Sequence, residues 1–232
     1  MLIGGFQKFS LIDYPKKISA VVFAVGCNFR CPYCHNPELV DPALLISNAS
    51  RVTSNELFDF LKNRKNKLDG VVITGGEPTL QSDLLDFVSK VKDLSFLVKL
   101  DTNGSFPDVI KKLIDNSLLD YIAMDIKAPF KKYREIINAD LDLAKIKESI
   151  GLIMSSNIDY EFRTTVVRSQ LSMEDILSIA KMIEGAELFV LQRFTPTKTL
   201  DPNFINEQTY SGEELDNLRI ELLKLVKNCM IR

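Results

Sequence analysis

Long apolar stretches are missing from this 232-residue chain. The longest, Ile18 to Gly26, is too short to cross a bilayer and follows a polar, turn-rich leader rather than a signal-peptide arrangement. No membrane span is therefore expected, and the expected compartment is the cytoplasm, which also keeps thiols reduced. An excess of one charge is missing too: 29 Lys and Arg against 31 Asp and Glu give a formal net charge of -2. That leaves no clustered cationic footprint for a phosphate backbone and sets nucleic acid aside as a partner. The basic run from Lys62 to Lys67 reads as a solvated helix end. No low-complexity tract is present, and 46% apolar with 26% charged residues is ordinary globular composition. Histidine occurs once, at His35, and cysteine four times.

Three of those cysteines, Cys27, Cys31 and Cys34, lie within one short loop. Cys-x3-Cys-x2-Cys offers three soft thiolates from one segment, whereas a four-iron cubane takes four ligands, so one iron would be left open. An open position marks catalysis, as the contrast between three-ligand catalytic zinc and four-ligand structural zinc illustrates. The competing reading is a structural zinc site completed by His35. Zinc knuckles usually come as paired Cys-x2-Cys units, and the adjacent Cys34 and His35 would have difficulty converging on one metal. A disulfide framework does not suit a chain that can build its own core. Cys229 reads as a small buried residue of the final helix.

Around this loop the pattern alternates. Residues 1–17 read as an irregular lead-in or short edge hairpin. Buried strands are expected at Ile18 to Val25, Gly70 to Thr74, Phe96 to Leu100, Tyr121 to Ile126, Asp159 to Val167 and Glu187 to Phe194. A long polar connection fills 35–52. Helices follow the strands, with capping boxes at Thr53/Glu56, Ser172/Asp175 and Ser211/Glu214, a proline opening at Pro107, and an apolar face of Leu80, Leu84, Leu85, Val88 and Val91 on the second. Six such units predict an α/β fold with a parallel sheet, and as a closed eight-unit barrel usually needs about 250 residues, an incomplete TIM barrel of about six βα units. One domain over 1–232 is expected: lead-in 1–17, barrel units 18–210 and a C-terminal helix 211–232.

The unusual loops fall at the carboxyl ends of the strands, where such sheets gather reactive groups. Gly75-Gly76-Glu77-Pro78 is either a plain strand-to-helix turn or a close backbone approach whose carbonyls, beside Glu77, suit an ammonium. Asp101-Thr102-Asn103-Gly104 and Asp125-Ile126-Lys127 are either a turn with an ion pair or a pair of charged strand ends facing a ligand. Arg163 fits a carboxylate or ribose hydroxyls if its register turns it inward. Gln192 and Arg193 are weaker candidates.

The cysteine spacing, with Tyr33 just before the last cysteine, resembles the cluster loop of the radical S-adenosylmethionine (SAM) enzymes. Taken with Leu11 to Pro15 and the run on to Glu38, it resembles the activating enzymes of glycyl radical enzymes, most closely the activators of anaerobic ribonucleotide reductase. The likeness implies a 4Fe-4S cluster on Cys27, Cys31 and Cys34, and SAM held by Tyr33, Gly75, Gly76, Glu77, Asp101, Thr102, Asn103, Asp125, Lys127 and Arg163. Within that set it implies Gly75 to Pro78 at the methionine amino group and Tyr33 over the adenine or touching it through backbone. Lys127 would meet the methionine carboxylate, and Asp101 with Asp125 would hold polar groups or a small cation. It further implies reductive cleavage of SAM, a glycyl radical enzyme as protein substrate reached through the open side of the barrel, and a flavodoxin or ferredoxin as electron donor, since four cysteines are too few for a second cluster. Pyruvate formate-lyase activators carry a histidine near the sixth strand end that this chain lacks, which favours the reductase branch. The alternatives are a pyruvate formate-lyase type activase, a small-molecule radical SAM enzyme such as a deazapurine-forming synthase, and a non-catalytic iron-sulfur, zinc-binding or electron-transfer module.

Overall fold

The β-branched runs become one eight-stranded sheet in a computed structural model that describes residues 1–40 and 52–232. Its strands are β1 (Ile3–Ser10), β2 (Ser19–Ala24), β3 (Gly70–Gly75), β4 (Leu97–Thr102), β5 (Tyr121–Asp125), β6 (Asp159–Val166), β7 (Phe189–Arg193) and β8 (Cys229–Ile231), adjacent in that order. Strands β2 to β8 run parallel, and β1 lies antiparallel on β2. No pairing joins β1 to β8 among the described residues, so the curved sheet is an incomplete barrel open between its two edges. Much of the expected connection over 35–52 lies outside the described residues.

The helices form where caps and apolar spacing agree. After α1 (Pro37–Val40) come α2 (Ser54–Asn63), α3 (Leu84–Asp93), α4 (Pro107–Asp115), α5 (Tyr133–Ile137), α6 (Leu143–Met154), α7 (Met173–Met182) and α8 (Gly212–Leu222). The reciprocal capping bonds at Thr53/Glu56, Ser172/Asp175 and Ser211/Glu214 are all made, satisfying donors the helix itself leaves free. The helices bury their apolar faces on one side of the sheet, for example Leu57, Val88, Ile110 and Ile176 against Val71, Ile73 and Leu100. The opposite, concave side has its own small core, Tyr14, Val21, Val72, Tyr121 and Ala123, which floors the barrel. Leu80 is not on the helix face expected of it: it ends a short 3-10 turn, Pro78–Leu80, and is largely exposed.

The end of the chain departs from expectation. Helix α8 stops at Leu222, and Cys229 sits not in that helix but in β8, paired with Phe189 of β7. A three-residue strand carries almost no periodicity of its own; it exists because β7 offers it an edge. Cys229 is buried there, as expected of a small core residue. The sheet therefore has seven parallel strands rather than six, and the lead-in contributes the antiparallel edge.

Candidate functional site

The cysteine loop leaves β2 through Gly26, whose amide donates to Leu39 O at 2.8 Å and whose carbonyl accepts from Glu77 N at 2.7 Å. That second bond ties the loop to the end of β3, and it fixes the residue type there. A Cβ on Gly76 would stand 2.0 Å from Gly26 O, while Gly75 has φ of +109°, so both positions take glycine for close backbone contact with the segment leading into Cys27. The loop then curls tightly, with Cys34 N donating to Cys31 O at 3.0 Å and Arg30 N to Ile137 O at 2.8 Å.

All three thiols are free, and they line one wall of a cavity of about 330 Å³ at the carboxyl ends of the strands. Burial pushes Cys27 up to about 12 and Cys31 to about 11, and raises Cys34. Such thiols hold their protons until a metal displaces them. A closed zinc centre requires four ligands on one ion, whereas ligands of a cluster attach to different irons. The alternative zinc ligand is turned to other work: the His35 ring stacks on Phe194 at 5.5 Å and its Nδ1 meets Lys198 O at 3.2 Å. The donor set therefore fits a three-thiolate cluster better than a closed zinc centre.

The facing wall is charged. In register, Asp125 of β5 neighbours Arg163 of β6, and both point to the concave side with Asp101 and Lys99 of β4. Arg163 Nε bonds Asp125 Oδ1 at 2.8 Å and its NH1 bonds Asp101 Oδ2 at 3.2 Å. Lys127 Nζ takes Asp125 Oδ2 at 3.0 Å, and the buried Lys99 takes Asp101. Burial alone would raise Asp125, but Arg163 and Lys127 outweigh it and hold its carboxyl well below the usual range. Asp101 is likewise lowered: its burial is overcome by Arg163 and Lys99. Three cations, Arg163, Lys127 and the buried Lys99, thus stand around the carboxylates of Asp101 and Asp125, while Glu161, 3.9 Å from Arg163, and the cavity-lining Asp13 and Glu77 add negative charge nearby. A small cation between the aspartates, one role open from sequence, has its place taken by these side chains, and the donors of Lys127 and Arg163 at the cavity surface suit a carboxylate or hydroxyls.

Glu77 does not project freely. It is 1% exposed and accepts from Thr79 N at 3.1 Å, Thr102 Oγ1 at 2.8 Å and Asn103 N at 2.6 Å. Burial raises its pKa against the pull of those bonds. Its carboxylate fastens the end of β3 to the end of β4, holding Asn103, whose Nδ2 reaches Asn28 Oδ1 at 3.0 Å in the cysteine loop.

All thirteen expected residues line this one cavity: the three cysteines, Tyr33, Gly75, Gly76, Glu77, Asp101, Thr102, Asn103, Asp125, Lys127 and Arg163. Gln192 joins them, while Arg193 is exposed and faces away. Sequence reasoning missed Asp13 and Thr165 in the lining and Lys99 behind it. Lys99 carried a signal, since a lysine two positions before Asp101 in a buried strand must share its face and find a partner.

Residues 21–183 match the family model described as the Radical SAM superfamily. Over its whole length, covering 95% of the relative, the chain is 39% identical to a Methanocaldococcus jannaschii protein named as a candidate glycyl-radical enzyme activating enzyme. It is 31% identical over 72% of its length, and 71% of the relative's, to 7-carboxy-7-deazaguanine synthase of Archaeoglobus fulgidus. Among solved structures, Streptococcus suis SuiB bound to S-adenosylmethionine matches 91% of the chain with a TM-score of 0.68 at 12% identity, a likeness of fold. The chain spans about half of that protein, 51%.

Proposed function

The chain belongs to the radical SAM superfamily, an enzyme class that uses a 4Fe-4S cluster and SAM, and from that premise we propose that it generates a glycyl radical on a partner enzyme, an anaerobic ribonucleotide reductase. The observation that carries this reading is the meeting, in one cavity, of three free thiols and a charged wall where Lys127 and Arg163 stand beside Asp101 and Asp125.

Cys27, Cys31 and Cys34 hold the cluster as thiolates, and their burial keeps water from it. Lys127 and Arg163 would offer their remaining N–H donors to a carboxylate, the group the amino-acid portion of SAM presents. Backbone carbonyls at Gly75 and Gly76 receive its ammonium, in a turn whose shape Glu77 maintains from behind. When bound, and given one electron by an outside donor of the flavodoxin or ferredoxin kind, the cluster and SAM would supply cleavage of a sulfonium carbon-sulfur bond and, through it, removal of a hydrogen atom from a glycine α carbon. Asp101 and Asp125 keep Arg163 and Lys127 in place rather than touching the reacting atoms.

A protein substrate is supported by the open edge of the sheet. Phe9 near the end of β1, and Leu11 and Ile12 in the turn after it, are exposed beside the amino end of β2, Ile12 at 88%, and Asp13 of the same turn lines the cavity. Consecutive apolar side chains in water are costly unless a partner covers them. The full-length likeness to a candidate activating enzyme supports the same reading. A second reading, a small-molecule enzyme of the deazapurine-forming kind, draws on the Archaeoglobus relative.

Anaerobically reconstituted, reduced protein mixed with SAM is expected to release 5'-deoxyadenosine. Added anaerobic ribonucleotide reductase should then show a glycyl radical signal by electron paramagnetic resonance, and pyruvate formate-lyase should not. Release of 5'-deoxyadenosine coupled to a purine precursor, with no radical on either protein, favours the second reading. No release at all overturns both.

A further inference from the structure

Five buried side-chain polar atoms lack a hydrogen-bond partner among the described residues, on Ser19, Tyr33, Glu38, Thr209 and Arg219. Of these five residues, Tyr33 is the one that lines the cavity. It is 4% exposed, so its hydroxyl is cut off from water, a costly arrangement unless something is to be bonded there.

The groups around that hydroxyl narrow the acceptor. Cys31, Lys127, Asp125 and Tyr133 act on it. Lys127 has only donors to offer. Asp125 already accepts at both oxygens, Oδ1 from Arg163 at 2.8 Å and Oδ2 from Lys127 at 3.0 Å, and Tyr133 Oη accepts from Lys127 N at 3.5 Å. The sulfur of Cys31 is the acceptor among these that has no other donor among the described residues, a poor acceptor as a thiol and a good one as a thiolate. The other two cysteines already have backbone donors, Phe29 N at 3.4 Å from Cys27 Sγ and the Asn36 amide at Cys34. Cys31 would otherwise lack one.

We propose that the Tyr33 hydroxyl donates a hydrogen bond to the Cys31 sulfur when that sulfur is a metal-bound thiolate, and so raises the reduction potential of the cluster. The inference rests on the reading of Cys27, Cys31 and Cys34 as cluster ligands and adds a role to Tyr33 apart from any contact its ring makes with adenine. A donor at a ligand sulfur withdraws charge and stabilises the reduced, more negative state. It also gives Cys31 the kind of donor that Cys27 and Cys34 already have, from a hydroxyl that substitution can remove.

The test is a potentiometric titration, followed by electron paramagnetic resonance without SAM or partner, of reconstituted wild type and Tyr33→Phe. With iron content unchanged, the variant should be harder to reduce by about tenfold in the one-electron equilibrium, about 59 mV. Because Tyr33 also lines the cofactor cavity, calorimetry of S-adenosylhomocysteine with both proteins is the second readout. An unchanged potential overturns the proposal, as does weakened S-adenosylhomocysteine binding at unchanged potential, which would assign the hydroxyl to the cofactor. Should Tyr33→Phe lose iron, 3-fluorotyrosine at position 33 provides the second arm: its stronger donor must raise the potential, and no rise overturns the proposal. Wild type that holds no cluster overturns the ligand reading and this inference with it, whereas equal potentials in proteins that still release 5'-deoxyadenosine overturn this inference alone.

Discussion

Replacing Arg163 with glutamine removes the cation that two aspartates share, at nearly the same volume. The side chain is buried to 11% exposure and bonds Asp125 at 2.8 Å and Asp101 at 3.2 Å. Leaving buried carboxylates without a partner costs about 3–5 kcal/mol, and because Lys127 and Lys99 still attend them the loss should fall near about 3 kcal/mol. The cavity would also lose one positive charge. At an effective dielectric of about 20 and a separation of roughly 8 Å, that is about 2 kcal/mol against a bound carboxylate, or about thirtyfold in affinity. Urea unfolding of the reduced, cluster-free protein reads the first quantity, and calorimetry of S-adenosylhomocysteine with reconstituted protein reads the second. The second substitution Asp125→Asn restores the charge count, so the double variant should bind better than Arg163→Gln alone and be less destabilised than the two losses added. If the single variant loses less than about 1 kcal/mol and binds as wild type does, or if the double variant shows simple addition, the charge argument is wrong.

Gly76→Ala places a methyl 2.0 Å from Gly26 O, a backbone atom that cannot swing aside, so a loss of about 3 kcal/mol is expected with less iron retained on reconstitution; normal melting and iron content would contradict it. Ile12→Glu, at a position 88% exposed, should leave stability within about 0.5 kcal/mol and S-adenosylhomocysteine binding intact, yet lower kcat/KM for partner activation about tenfold; equal activation would remove this apolar edge from the account. Because the carboxyls of Asp101 and Asp125 are held below the usual range, their contribution to stability is present above about pH 4 and is lost as pH falls through their lowered values. In urea titrations of cluster-free protein, Asp125→Asn should therefore lose less stability than wild type between about pH 5 and pH 2.

The parts legible in the sequence are those where local signals carry the geometry. Strands β2 to β7 are continuous β-branched runs, and the Thr53, Ser172 and Ser211 caps announce their helices within four residues, so order and fold class followed. The same alternation put each unusual loop at a strand end, which is why thirteen residues from five segments could be named before they were seen to share one cavity. What escaped depends on tertiary partners. Strand β8 forms because β7 lends it an edge, so Cys229 was placed in a helix that ends at Leu222. Gly76 must also admit Gly26 O, fifty residues away, a second reason for glycine that local sequence does not carry. The bonds of Glu77 to Thr102 and Asn103 of the neighbouring strand end were invisible until β3 and β4 were side by side.

Central to the account is that the three loop thiolates hold a cluster with one iron left to the cofactor. Iron and sulfide analysis with electron paramagnetic resonance of anaerobically reconstituted wild type, Cys31→Ala and Cys229→Ala tests it most directly. About four irons per chain are expected in wild type and Cys229→Ala, with a signal that changes on adding SAM, and loss of that centre in Cys31→Ala. A zinc-filled site, or a centre that survives Cys31→Ala and ignores SAM, would contradict it.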